Sequence, residues 1–152
     1  MDYRKTGNTV YIRMDKGEEI VTTIEQVCQK EHIVSATFFG IGCCSKATVF
    51  SRFPDTLEDK PHSREDCLEM EHIAGSISVE DDGSITHHIH AVFTYIDMNQ
   101  HQHVFAGHLL NAEILYTAEI TLLVAEEPIQ RMTDPITGIR VIKLSETGHI
   151  SN

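Results

Sequence analysis

Histidine is the residue whose number and spacing first suggest chemistry. The 152-residue chain holds 10, and six of them, His87, His88, His90, His101, His103 and His108, fall within one 22-residue stretch. Neutral imidazole binds divalent metal ions and titrates near physiological pH. His88 and His90 stand two apart in a segment of strand character, Ser84 to Ile96, so both side chains take one face of a sheet while His87 takes the other. The next turn signal is Asp97-Met98-Asn99-Gln100. A hairpin centred on Asn99 pairs residues whose numbers sum to 198, which sets His90 directly opposite His108. Cross-strand Cβ atoms stand about 4.5–5.5 Å apart, and His88 becomes a diagonal neighbour at roughly 7–8 Å. Three imidazoles facing one point make a ligand set for zinc, or for another divalent metal that accepts nitrogen. A fourth position would stay open to water, a carboxylate or a substrate. The prediction hangs on register, since a one-residue bulge at Gly107 would move His108 to the other face.

A single histidine in a strand is ordinarily a satisfied or exposed polar group. His-x-His plus a third histidine at the matching hairpin position gives the metal reading equal standing with that bland one. His101 and His103 form a second His-x-His, but at the turn, where solvent exposure is the default. Other motifs carry less. Gly40-Ile41-Gly42 lacks the following helix of a dinucleotide fingerprint and reads as a bulge, a tight turn or a close backbone approach. No Gly-x-Ser-x-Gly, phosphate-binding glycine loop or His-Glu-x-x-His is present. Cys28, Cys43, Cys44 and Cys67 include no Cys-x-x-Cys and read as packed thiols in a reducing cytoplasm. Glu69, Glu71, Glu113 and Glu119 are candidates for a general acid or base or a fourth ligand, with solvated carboxylates the commoner case.

The elements that must position these residues are mostly strands. Thr9 to Met14 alternates apolar and polar, and Asp15-Lys16-Gly17 breaks it. Glu18-Glu19 open a helix at its positive end, where carboxylates are favoured. In it Ile20, Val21, Ile24, Val27 and Cys28 form one apolar stripe, with Thr22, Glu25, Gln26 and Gln29 outside. Ile33 to Phe39 reads as a strand with Cys44 to Phe53 as its partner, and the polar stretch Pro54 to Asp66 as an exposed excursion. Cys67 to Val79 and Ser84 to Ile96 flank a hairpin turn, Glu80-Asp81-Asp82-Gly83. Val104 to Val124 is expected to divide near Asn111, and a turn at residues 133–138 precedes a short strand, Ile139 to Leu144. The expectation is an α+β fold, a mostly antiparallel β-sheet with one main amphipathic helix packed on it, as a single domain over residues 1–152.

Charge narrows the partners. Twelve Lys and Arg against 23 Asp and Glu leave −11, which repels phosphate backbones and anionic lipid. Apolar stretches such as Ile120 to Ala125 fall far short of the roughly 20 residues of a membrane helix. Met1-Asp2-Tyr3-Arg4-Lys5 lacks the apolar run of a secretory signal, so a cytoplasmic protein is expected. The strand Ile114 to Val124 carries apolar residues at both parities, more than one helix can bury, so part of it is expected to face a neighbouring subunit.

Gly40-Ile41-Gly42, the run from Glu69 to Gly75-Ser76-Ile77-Ser78, His88-Ile89-His90, Gly107-His108-Leu109 and Thr117-Ala118-Glu119 occur in that order. The pattern resembles the PPC domain, the plants-and-prokaryotes conserved domain, from about Val10 to Leu144. The family's usual Gly-Gly-His-Leu has Ala106 at its first position here. The resemblance implies a homotrimer and a divalent-metal site at His88, His90 and His108. Plant members act on AT-rich DNA through AT-hook segments, whose Arg-Gly-Arg-Pro core is missing from this sequence. The expected function is that of a trimeric metal-binding protein with a regulatory role through protein partners. The family label of DNA binding is weakened by the acidic charge. The alternative is a metal-dependent enzyme acting on an unknown small substrate.

Overall fold

The computed structural model describes residues 1–52 and 58–144. Asp2–Thr6 (β1) and Thr9–Asp15 (β2) form an antiparallel hairpin. β2 buries Val10, Ile12 and Met14 and exposes Tyr11 and Arg13, as the strand period requires. β1 escapes sequence reading because all its side chains but the half-buried Tyr3 are exposed, leaving no apolar alternation. The helix Ile20–Lys30 (α1) begins where predicted. Glu19 caps it, its carboxylate accepting from the N–H groups of Val21 at 3.1 Å and Thr22 at 2.7 Å. The same carboxylate accepts from the Ala112 N–H at 3.1 Å, which ties the start of the helix to the sheet. The stripe Ile20, Val21, Ile24, Val27 and Cys28 is buried as predicted, and Thr22, Glu25, Gln26 and Gln29 are outside.

Three expectations need correcting. Ile33 to Phe39 and Cys44 to Phe53 are not partners: Ala36–Arg52 (β3) is one strand that runs through Gly40-Ile41-Gly42 with register slips at Gly40/Gly42 and Cys44/Lys46. The glycines admit a close approach instead of a turn; a Cβ on Gly42 would stand 2.6 Å from the Ala118 Cβ. The partner of β3 is Asp59–Val79 (β4), so 59–66 belong to a strand and not to an excursion; 54–57 lie outside the described residues. Nearly all side chains from Asp59 to Asp66 are exposed, which removes the alternation that marks a strand. Gln102–Val124 (β6) does not divide near Asn111; the pairing with β3 merely slips there, from Thr48–Asn111 to Val49–Leu109.

Ile85–Ile96 (β5) pairs with both β4 and β6. The pairings of β3, β4, β5 and β6 thus close on themselves, while β2 and β1 extend the sheet from β6. Arg131–Thr133 (β7) and Arg140–Ile142 (β8) form a separate hairpin around the predicted turn. Every ladder between these strands is antiparallel, and the α+β architecture is the one expected. Phe38, Ile73, Ile89, Phe93, Ile114 and Ile120 fill the core with the apolar stripe of α1. Among the described residues no helix is long and apolar enough to cross a membrane.

Candidate metal centre

The β5–β6 register is the one the sequence arithmetic requires. His90 pairs with His108, Ala91 with Gly107 and Phe93 with Phe105, with no slip. Ile89, Ala91 and Phe93 turn into the core, so His88 and His90 project from the opposite face. His87, on the core-side parity, instead reaches the helix, with Nδ1 3.2 Å from the Glu25 carboxylate. His108 sits between two partners, Phe50 on β3 and His90 on β5. A close approach of backbones holds it there: a Cβ on Gly107 would stand 2.7 Å from the Phe50 carbonyl oxygen. The Phe50 ring packs on His108 at 4.4 Å between centroids.

The three predicted histidines come together. Ring centroids lie 5.2 Å apart for His88 and His90, 4.4 Å for His88 and His108, and 4.3 Å for His90 and His108. One nitrogen from each lies within 4.8 Å of the others. His88 and His108 are half-buried and His90 is exposed. Nε2 of His88 is buried and has no hydrogen-bond partner among the described residues, an arrangement that is costly unless something fills it. Burial first, then the nearby Arg131 charge and His90, hold the His88 pKa below its usual 6.5. His88 is therefore neutral at pH 7, the state a metal ligand must have. The donor set and its orphaned nitrogen fit a nitrogen-ligated divalent ion.

The centre opens into a cleft of about 870 Å³ whose walls include Phe50, Ser51, Glu80, Arg131 and Arg140. The carboxylates singled out from sequence lie elsewhere. Glu71 accepts from the Thr94 hydroxyl at 2.7 Å, Glu113 lies beside Ser45, and Glu119 pairs across the sheet with Arg13 and Ile41. Glu69 joins Cys43 and Cys67 in a second cluster, with the two sulfurs 3.7 Å apart. Sequence reading missed this group because it did not pair β3 with β4, whose register sets Cys43 opposite Glu69 and diagonal to Cys67. Cys28, Cys43 and Cys44 are packed as expected, and burial raises their thiols to about 11, 12 and 12. Cys67 is exposed. His101 and His103 turn to Asp97, whose carboxylate lies 2.9 Å from His103 Nε2 and 3.7 Å from His101 Nδ1. Arg131 went unremarked in the sequence, where nothing marks it, and Glu80 reads there only as part of a hairpin turn.

Solved structures share this fold along nearly the whole chain. The "Putative DNA-binding protein" of Ralstonia eutropha JMP134 is 28% identical, with a TM-score of 0.80 over 94% of this chain and 96% of that one. A plant- and prokaryote-conserved (PPC) protein of Pyrococcus horikoshii is 26% identical, with a TM-score of 0.74 over 95% and 96%. The Metal-containing Protein of Archaeoglobus fulgidus, 23% identical with a TM-score of 0.75 over 95% and 99%, shares the fold. No curated protein matches the sequence. The model of one domain family matches residues 1–126, which include the helix, the strands β1 to β6 and all three histidines. By that match and by its architecture, the chain belongs to the Plants and Prokaryotes Conserved (PCC) domain family.

Proposed function

We propose that this PCC-domain protein binds a divalent metal ion, zinc by first choice, through His88, His90 and His108, and that it works as a homotrimer in the cytoplasm. The observation that carries the reading is the convergence of three imidazoles from two paired strands, with the buried Nε2 of His88 lacking any other partner. Three imidazole nitrogens with no carboxylate among them suit zinc better than magnesium or calcium. The printed name of the Archaeoglobus neighbour, a metal-containing protein, supports it. A bound ion with an open position polarises oxygen ligands and acidifies water.

The trimer is supported by the sheet surface that α1 leaves uncovered. Tyr11 on β2 and Phe39 on β3 are both exposed and both pair with Thr121 on β6, and Ile41 is exposed beside them. Three unpaired aromatic and aliphatic side chains on one face favour contact with another copy. Four unbridged cysteines support a reducing compartment. Direct DNA binding rests on the names of structural neighbours, and the −11 charge opposes it. A regulatory role through protein contacts agrees better with that charge. A metal-dependent enzyme is the second reading, favoured by the cleft in front of the histidines.

Elemental analysis of the purified protein should find about one metal ion per chain, and none in a variant with all three histidines changed to alanine. Light scattering should give three times the 17.1 kDa chain mass. Metal retained in full by the triple variant refutes the ligand set, and a monodisperse 17.1 kDa species refutes the trimer.

A further inference from the structure

Arg131 is the most deeply buried charged side chain among the described residues, with 6% of its surface exposed. It belongs to β7, beyond the residues 1–126 that the family model matches. Among the described residues its guanidinium donates only to neutral oxygens: from Nε to the Ser78 hydroxyl at 2.9 Å, from Nη1 to the Arg140 carbonyl at 3.1 Å, and from Nη2 to the Ser76 hydroxyl at 3.4 Å. Those contacts use three of its five N–H groups and supply no counter-charge. Glu80, the one acidic side chain lining the cleft among the described residues, is engaged instead by Arg140, which also pairs with Asp81 at 3.0 Å. A guanidinium taken out of water without an anion is costly, so its retention needs a reason.

Register places this charge beside the histidines. Ser76 on β4 is the cross-strand partner of His88 on β5, and Ser78 is the partner of Thr86. Alternate residues share a face, so Ser76, Ser78, His88 and His90 lie on one side of the sheet. A group hydrogen-bonded to Ser76 is therefore one cross-strand step from His88. Arg131 and the three histidines line the same cleft. An ion at the histidines would add further positive charge on that face, where the one carboxylate lining the cleft among the described residues, Glu80, is already engaged by Arg140.

We propose that Arg131 and the three-histidine centre together form a subsite for a small carboxylate, one end of which meets the guanidinium while the other faces the metal position. The proposal rests on the metal reading above and names the ligand class that reading leaves open. Arginine suits the role because its planar fork presents paired N–H donors to a carboxylate's two oxygens. Ser76, Ser78 and the Arg140 carbonyl are positioning groups, which hold the fork toward the cleft instead of letting it swing into solvent.

The test is calorimetric titration of the zinc-loaded chain at pH 7.5 and constant ionic strength. The probes are acetate, propionate, inorganic phosphate and, as the neutral counterpart, acetamide. Acetate or propionate should bind and acetamide should not. Arg131→Met should keep its metal content while binding weakens at least about tenfold, or about 1.4 kcal/mol. Should Arg131→Met fail to fold, Arg131→Lys, which keeps the charge and loses the fork, replaces it under the same criterion. Unchanged affinity in a folded, metal-bearing variant overturns the proposal. Binding of phosphate alone overturns the carboxylate assignment. If elemental analysis finds no metal, the metal reading fails by itself. Arg131 is then judged on the metal-free protein, where carboxylate binding lost in the variant supports its role and absence of binding overturns it.

Discussion

Two His-x-His pairs flank one hairpin turn, and the structure uses them in opposite ways. His88 and His90 face His108 and the Arg131 side of the sheet. His101 and His103 face a carboxylate: Asp97 accepts from the backbone N–H groups of Asn99 and His101 at 2.8 and 2.9 Å and lies 2.9 Å from His103 Nε2. His103 also stacks on Tyr95, its cross-strand partner, at 5.1 Å between centroids. The first pair meets neutral or positive groups and keeps a nitrogen without a partner. The second pair meets a negative group and closes a turn. The same three-residue pattern becomes a candidate ligand set or a structural clasp according to the charge of what stands opposite.

Exchange of the two pairs in a mutational test gives the sharpest contrast. His90→Ala should take the metal content from about one ion per chain to near none, because two imidazoles alone hold zinc weakly. The double change His101→Ala with His103→Ala should leave it unaltered. Equal metal loss in both variants, read by elemental analysis, would erase the distinction.

Acid separates the pairs next. His88 has its folded pKa lowered, so the unfolded chain takes up protons first as pH falls through 6.5. The stability linked to neutral His88, present above that value, is lost as pH falls below it, and protons displace metal over the same range. Asp97 also has a lowered pKa, because His103 and then the His101 N–H bond its carboxylate. Its contribution is present above 3.8, the ordinary value, and is lost only as pH falls through the lowered folded value. Metal bound and thermal stability, followed from pH 7.5 to 3, should therefore fall in two stages, the metal first, below about pH 6. Metal retained at pH 4.5 would mean that imidazoles are not its main ligands.

Gly107→Val tests what holds the third imidazole in place. The new Cβ would meet the Phe50 carbonyl and the Val49 side chain at 2.7 and 3.2 Å. Overpacking should cost about 1–3 kcal/mol in urea unfolding and weaken metal binding by shifting His108. A variant with parental stability and metal affinity would show that this close strand approach does not set the site. The smallest effect is expected from Asp97→Ala, which breaks the clasp at an exposed turn. Its melting temperature should fall by a few degrees at most, with metal content unchanged. A large loss of metal there would show that the turn controls the register of the pair it flanks.

The site was more legible than the sheet around it. The pairing of His90 with His108 follows from a period of two and a short turn at Asn99, both local quantities. The helix was legible for a similar reason, since five apolar residues at helical spacing and a carboxylate cap lie within one short segment. The continuity of β3 was not, because Gly40-Ile41-Gly42 reads equally as a turn or as a bulge. The approach of Ala118 decides between them. β1 and the first half of β4 carry mostly exposed side chains, so their strand character comes from backbone pairing that composition does not record.

By its residues alone, this chain determined a three-histidine face, an amphipathic helix, a strongly acidic surface and a mostly antiparallel fold. Each depends on interactions between residues close in the chain, or on net composition. Tertiary structure alone decided that the second His-x-His pair turns to the Asp97 carboxylate and that Phe50 packs on His108. It also brought Cys43 to Cys67 and carried Arg131 from the far end of the chain to the wall of the cleft. Arg131 and Phe50 reach the candidate ligands from strands distant in sequence, and such neighbours separate a candidate metal ligand from a hydrogen-bonded turn residue.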